Sequence, residues 1–308
     1  MAKENEFFFK SSDGIHQCYA HEWIPEGEPR AVVQIIHGVA EYIQRYGAFA
    51  AWLAGKGFVV VGEDHLGHGR TVDDEKFGYF GPKDGWSMVA KDVRKLRVQT
   101  GEKYPELPYF ILGHSMGSFL ARTYLINWPG TISGAILSGT GQEGGALVGG
   151  GKLIAGLSCN LRGADGHSNL VNNLSLGAYN KQFAPNRTTA DWISRDEKVV
   201  DAYLKDPFCT FQPTVGLFRD MLGGIQYIGN KKNLKRMCKT TPIYFFSGDK
   251  DPVGQNGAGV KKVAAMFREA GCSDVTVKLY PNGRHEMLNE LNKQGVYEDV
   301  LTWLEGKL

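Results

Sequence analysis

Apolar positions along this chain follow two rhythms in turn. The runs AVVQIIHG (31–38), FVVVGED (58–64), YFILGHS (109–115) and SGAILSG (133–139) show no polar alternation, the mark of strands buried on both faces. Between them lie stretches with helical character: Tyr46 to Gly55, then 85–100, where Trp86, Val89, Ala90, Val93 and Leu96 recur at helical spacing, then Met116 to Asn127, stopped by Trp128-Pro129. Ahead of them, Glu6 to Lys10 and Gln17 to Ile24 read as an antiparallel hairpin turning at Asp13-Gly14. Strands and helices alternating over short links predict an α/β architecture, a mostly parallel sheet with helices on both faces.

The rhythm breaks at Gly139. GTGQEGGALVGGGKLIAGL (139–157) is dense in glycine, and 158–238 carries helical fragments and aromatics without a convincing parallel strand. It resumes at TPIYFFSGDKD (241–251), followed by a helix over 257–270, the strand VTVKLY (275–280) and an amphipathic helix near 293–307. The expected organisation is therefore a core from 1–139 and 239–308, with 140–238 inserted between two of its strands. An insertion at that point sits above the carboxyl ends of the strands, where open α/β sheets bind ligands. The length of 308 residues accommodates this as one domain with an insertion, given about 150 residues per domain.

Charge narrows the function classes. Lys and Arg total 35 against 33 Asp and Glu, a formal net charge of +2, which does not suit a nucleic-acid surface. The five cysteines (Cys18, Cys159, Cys209, Cys238, Cys272) are scattered and form no C-x-x-C pair, so neither a disulfide framework nor a thiolate metal site is expected. The first residues, MAKENEFFFKSSDG, lack a signal-peptide core, and no apolar run of 18 residues occurs. The expectation is a cytoplasmic protein without a transmembrane segment, touching membranes only peripherally.

The chemistry concentrates at Gly113-His114-Ser115-Met116-Gly117, between a predicted buried strand and a predicted helix. In a G-x-S-x-G elbow the serine occupies a strained turn, small flanking residues prevent collisions, and the helix N-terminus faces developing negative charge. The alternative is a serine that only caps the helix. A serine hydroxyl needs a histidine base oriented by a carboxylate. Only His167 and His285 follow Ser115, and the chain order serine, acid, histidine favours His285, in the loop PNGRHE after VTVKLY; His167 reads as a solvated loop residue. For the acid, Asp249 and Asp251 both follow IYFFSG. Asp251 lies deeper in the loop, before Pro252, and Asp249 suits a turn-stabilising role, but loop geometry alone leaves both open. Asp274 reads as a surface turn. Oxyanion donors are expected from the backbone N–H of Met116 and, in the loop His37-Gly38-Val39, from Val39, each contributing roughly 3 kcal/mol.

Other patterns are weaker. Gly139-x-Gly141-x-x-Gly144 with Asp165 mimics a dinucleotide fingerprint, but more glycine follows it instead of a clear helix and strand. Gly150-Gly151-Lys152 lacks the rest of a phosphate loop. His65 and His68 have metal-ligand spacing but sit in a glycine-rich turn without a third ligand. Trp192, Phe183, Tyr203, Phe208, Phe211 and Phe218 serve equally well as pocket lining or as a small core of the insertion.

HGVAEYIQRY (37–46), DHLGHGRT (64–71), GHSMGS (113–118), SGDKDPVG (247–254) and the RHE of 284–286 resemble the α/β-hydrolase superfamily, in its lysophospholipase and monoacylglycerol lipase-like branch, which includes sequences called serine aminopeptidase S33. The resemblance spans most of the chain. It implies the α/β-hydrolase fold, Ser115, Asp251 and His285 as catalytic triad, Val39 and Met116 as oxyanion hole, and 140–238 as a cap over an acyl pocket. RTTADWISRD (187–196) and DPFC (206–209) extend it into the cap, where 186–206 is richer in charge than the apolar cap of the animal lipases. The implied activity is a serine carboxylester hydrolase acting through an acyl-enzyme on esters with one acyl chain, such as monoacylglycerols or lysophospholipids. No metal or organic cofactor is required. Acyl transfer by the same residues, or ligand binding with negligible turnover, are the competing readings.

Overall fold

The computed structural model describes residues 2–72 and 76–308. Strands β1 (Lys3–Lys10), β2 (Gln17–Ile24), β3 (Ala31–Ile36), β4 (Phe58–Glu63), β5 (Tyr109–His114), β6 (Gly134–Ser138), β7 (Ile243–Gly248) and β8 (Val275–Tyr280) form one sheet in the order β1-β2-β4-β3-β5-β6-β7-β8. β1 and β2 are antiparallel to their neighbours, and β4 through β8 pair in parallel. The expected α/β sheet is present.

Every residue of β3 to β7 is buried, and successive side chains feed opposite layers. Val32, Ile36 and Ile111 point into one core with Val93, Leu96, Leu120 and Phe267, while Val33, Ile35, Phe110 and Leu112 join Phe49, Leu53, Val300 and Leu304 in the other. Helices α2 (Gly85–Lys103), α3 (Met116–Asn127) and α10 (Ala258–Glu269) therefore cover the first face, and α1 (Gly47–Ala54) and α11 (Lys293–Glu305) the second. β1 begins three residues before the expected Glu6: its outer residues are exposed, but backbone pairing from Lys3 opposite Ile24 carries the strand beyond its apolar pattern.

Between β6 and β7 the described residues contain helices α4 (Gly145–Arg162), α5 (Asn169–Leu174), α6 (Leu176–Tyr179), α7 (Glu197–Lys205), α8 (Val215–Ile228) and α9 (Lys231–Leu234), and no strand. α4 corrects an expectation, since the glycine-rich run after Gly144 does form a helix, of 18 residues. Its glycines lower intrinsic helix propensity, but tertiary contact compensates: α4 packs along α8, where a Cβ on Gly151 would lie 3.3 Å from Leu222. α8 in turn packs on α2 and α3, which ties the insertion to the core. Among the described residues no helix is long and apolar enough to cross a membrane.

Two glycines separate the rigid part of this frame from the tolerant part. A Cβ on Gly117 would stand 1.9 Å from the carbonyl oxygen of Ile36, whereas one on Gly149 in α4 would meet nothing within 4 Å. Gly117→Ala is expected to destabilise the protein by about 3 kcal/mol or more. Gly149→Ala is expected to stabilise it by up to about 1 kcal/mol. Urea unfolding of both variants checks the contrast.

Candidate active site

The elbow at the end of β5 is built by close backbone approach. A Cβ on Gly113 would lie 2.4 Å from the carbonyl oxygen of Gly117, and Gly117 itself rests on the end of β3. Between them Ser115 is held at φ +53°, ψ −122°, a conformation that a non-glycine residue adopts only when its surroundings enforce it. Its N–H donates to the Ser138 carbonyl at 2.9 Å, pinning the turn to β6. The capping alternative fails, because the Ser115 side chain makes no capping hydrogen bond.

His285 and Asp251 come to the same end of the sheet from the loops after β8 and β7. His285 Nδ1 lies 2.9 Å from Asp251 Oδ1. An ionised carboxylate only accepts, so Nδ1 carries the proton and Nε2 is left as the acceptor. Asp251 also accepts from Ser247 Oγ and from the Val253 N–H, each at 2.9 Å. Burial raises the Asp251 carboxyl, but His285 and these donors more than offset it and hold it below its ordinary value. Burial likewise disfavours the His285 cation, and the Asp251 charge reverses the balance, leaving its pKa above 6.5. Ser115 and His285 line one small cavity of about 20 Å³.

The remaining candidates lie elsewhere. Asp249 accepts the Asn282 N–H at 2.8 Å and stabilises the turn. Asp274 pairs with Lys307 at 2.6 Å, and His167 is exposed. His65 and His68 are buried beneath the loop after β3; the His65 ring stacks on His37 at 3.9 Å, and the His65 N–H donates to His37 Nε2 at 3.0 Å.

Met116 opens α3, so its N–H belongs to the first turn, where helices leave donors unpaired. On the opposite loop the Gly38 N–H donates to Glu41 Oε1, and Val39 follows at the edge of the large cavity. Glu41 is not isolated. Arg45 Nη1 lies 3.0 Å from its Oε2, and the same guanidinium grips Glu286 through two contacts of 2.8 Å. This buried Glu41–Arg45–Glu286 clamp ties the loop after β3 to the residue following His285. Sequence reasoning missed it. The Glu41 and Arg45 spacing of four was visible, but no local signal joins either to Glu286, 241 positions from Arg45.

Two cavities meet at Ser115. The larger, of about 450 Å³, is lined mainly by apolar side chains, among them Phe119, Val148, Ile154, Phe218, Met221 and Ile225, and also by Val39 and Met116. The smaller adds Glu41, His114, Trp192, Tyr203 and Glu286. Of the six aromatics singled out, Phe218 thus lines the large cavity and Trp192 and Tyr203 the small one. Phe211 stacks on Phe77 at 5.3 Å, Phe208 packs against Tyr42, and Phe183 lies under the Arg284 guanidinium.

Residues 27–292 match the family described as Serine aminopeptidase, S33. The chain belongs to this α/β-hydrolase family. It is 30% identical to the monoacylglycerol lipase of Mycolicibacterium smegmatis, covering 99% of this chain and 98% of that protein, and 26% identical to the human monoglyceride lipase, covering 96% and 89%. Among solved structures it is similar to a thermostable carboxyl esterase from Bacillus coagulans in complex with glycerol, with a TM-score of 0.91 and 32% identity over 98% of each chain. Along nearly its whole length, then, this chain is similar to monoacylglycerol lipases and to an esterase.

The two aspartates after β7 are separable by experiment. Asp251→Asn is expected to lower turnover of p-nitrophenyl butyrate by about 10⁴, and Asp249→Asn to change it only a few-fold. Because the His285 pKa is raised, the neutral base is lost as pH falls, so the acid limb of kcat/KM is expected above pH 6.5 in the parent protein. Greater damage from Asp249→Asn would reverse the assignment.

Proposed function

We propose that this protein is a serine carboxylester hydrolase acting through an acyl-enzyme on esters with a single acyl chain, monoacylglycerols foremost. The observation that carries the reading is Ser115 on its strained elbow, at the junction of a large apolar cavity and the small recess it shares with His285. The acyl chain occupies the apolar cavity, and the small alcohol faces the recess bordered by Glu41 and Glu286. Kinship with monoacylglycerol lipases over nearly the full chain supports this substrate, as does the glycerol held by the similar esterase, since glycerol is the alcohol such an ester releases. Residues 140–238 act as the cap that closes the acyl pocket.

In the first half-reaction His285 Nε2 takes the proton of Ser115 Oγ as the oxygen attacks the ester carbonyl. Asp251 holds the ring and stabilises the imidazolium. The Val39 and Met116 N–H groups receive the oxyanion, and the proton passes from His285 to the departing alcohol. In the second, water gives its proton to His285 and attacks the acyl-enzyme, and collapse of the second tetrahedral intermediate frees the acid and Ser115.

Labelling with a fluorophosphonate and mapping the modified peptide is expected to place the label on Ser115. Ser115→Ala is expected to lose about 10⁶ in turnover. Along a series of p-nitrophenyl esters, kcat/KM is expected to climb by up to about fourfold per methylene until the cavity is full and then level off. Residual turnover independent of Ser115, or indifference to chain length, would contradict the proposal; so would alcoholysis outpacing hydrolysis in dilute alcohol, which would make the protein a transferase.

A further inference from the structure

The imidazole of His285 packs against two other rings. One is His114, with centroids 4.5 Å apart and planes inclined by 46°; the other is Trp192, at 4.9 Å and 37°. Trp192 belongs to the insertion, yet its backbone carbonyl accepts the His285 N–H at 3.3 Å, and the next carbonyl, of Ile193, accepts the Glu286 N–H at 2.8 Å. The segment is itself fixed: the Trp192 backbone N–H donates to Asn180 Oδ1 at 3.0 Å, and the indole ring packs on Tyr179 at 5.1 Å. Arg284 donates to the carbonyls of Asp191 and Ser194, so the segment around Trp192 and the histidine loop form one hydrogen-bonded unit.

We propose that Trp192 is a positioning residue for His285, its indole face setting the plane of the imidazole and stabilising the imidazolium that forms when Ser115 attacks. The inference rests on the reading of His285 as the general base. Asp251 partners the ring at one edge and can do nothing for its faces. An indole face carries the negative part of the ring quadrupole and attracts a cation within about 6 Å, most strongly where water is excluded. The second neighbouring ring does not oppose it. His114 is buried and its pKa is pushed down to about 3, so it stays neutral beside the imidazolium. The other charges facing the ring are the carboxylates of Asp251, Glu286 and Glu41, the last two held by Arg45.

The test is a comparison of Trp192→Leu and Trp192→Phe, assayed with p-nitrophenyl butyrate. Trp192→Leu is expected to lower kcat about tenfold with KM little changed, and to move the acid limb of kcat/KM downward by about half to one pH unit, because the imidazolium loses its support. Trp192→Phe is expected to restore kcat to within about threefold. A second measurement uses the intact protein: tryptophan emission should fall as pH drops through the acid limb, and this component should vanish in both Trp192→Phe and His285→Gln.

Unchanged kcat in Trp192→Leu, or lowered kcat with an unmoved limb, would overturn the proposal, the latter because it marks mere packing. Should Trp192→Leu not fold, the absence of the pH-dependent emission from the intact protein would overturn it alone. Retention of activity in His285→Ala would instead overturn the assignment of the base, so the two failures are distinguishable.

Discussion

The structure depends on one close contact between backbones. The first turn of α3 lies against the last residue of β3 with no room for a side chain at Gly117, and that approach forces the chain to reverse sharply at Ser115. Because β3 and β5 are parallel neighbours, the same contact brings the loop after β3 beside the start of α3. Gly38 of that loop consequently sits beside Ser115, where an added Cβ would lie 3.1 Å from the serine Cβ.

Around that point the protein buries charge and makes the burial serve opposite ends. Burial pushes the pKa values of His37, His68 and His114 well down, so these rings stay neutral and act as structure. His285 is equally buried, but the carboxylate of Asp251 against its Nδ1 raises its pKa. What sets His285 apart from the other three is one carboxylate at 2.9 Å from its Nδ1. The Glu41–Arg45–Glu286 clamp obeys the same rule. Its two buried glutamates are tolerable because both pair with Arg45, and removing the guanidinium would leave them without compensation, typically a loss of about 3–5 kcal/mol.

The segment between β6 and β7 does more than connect two strands. Its segment around Trp192 supplies two carbonyls to the histidine loop, and Arg195 reaches Glu290 of that loop at 3.0 Å. Its other part, α4 with α8, walls the apolar cavity and leaves Leu147, Leu153, Leu157 and Leu161 exposed. The insertion thus both braces the loop that holds His285 and walls the apolar cavity.

The sequence by itself determined the alternation of strands and helices, the elbow pentapeptide and the chain order of serine, acid and histidine, because each is a local pattern: buried strands read as unbroken β-branched runs, and a strained turn needs small residues at fixed offsets. It also showed where the rhythm stops, at Gly139. It could not say that the glycine-rich stretch is a helix, since α4 owes its stability to α8, more than fifty residues on. Nor could it separate Asp249 from Asp251 by loop geometry. In the fold these side chains, two positions apart, take different partners, one the Asn282 N–H and the other His285. The pairing of Arg45 with Glu286 and the indole face against His285 belong wholly to tertiary structure. They join residues far apart in the chain, and only the packing of the insertion on the sheet brings their charges and rings within reach.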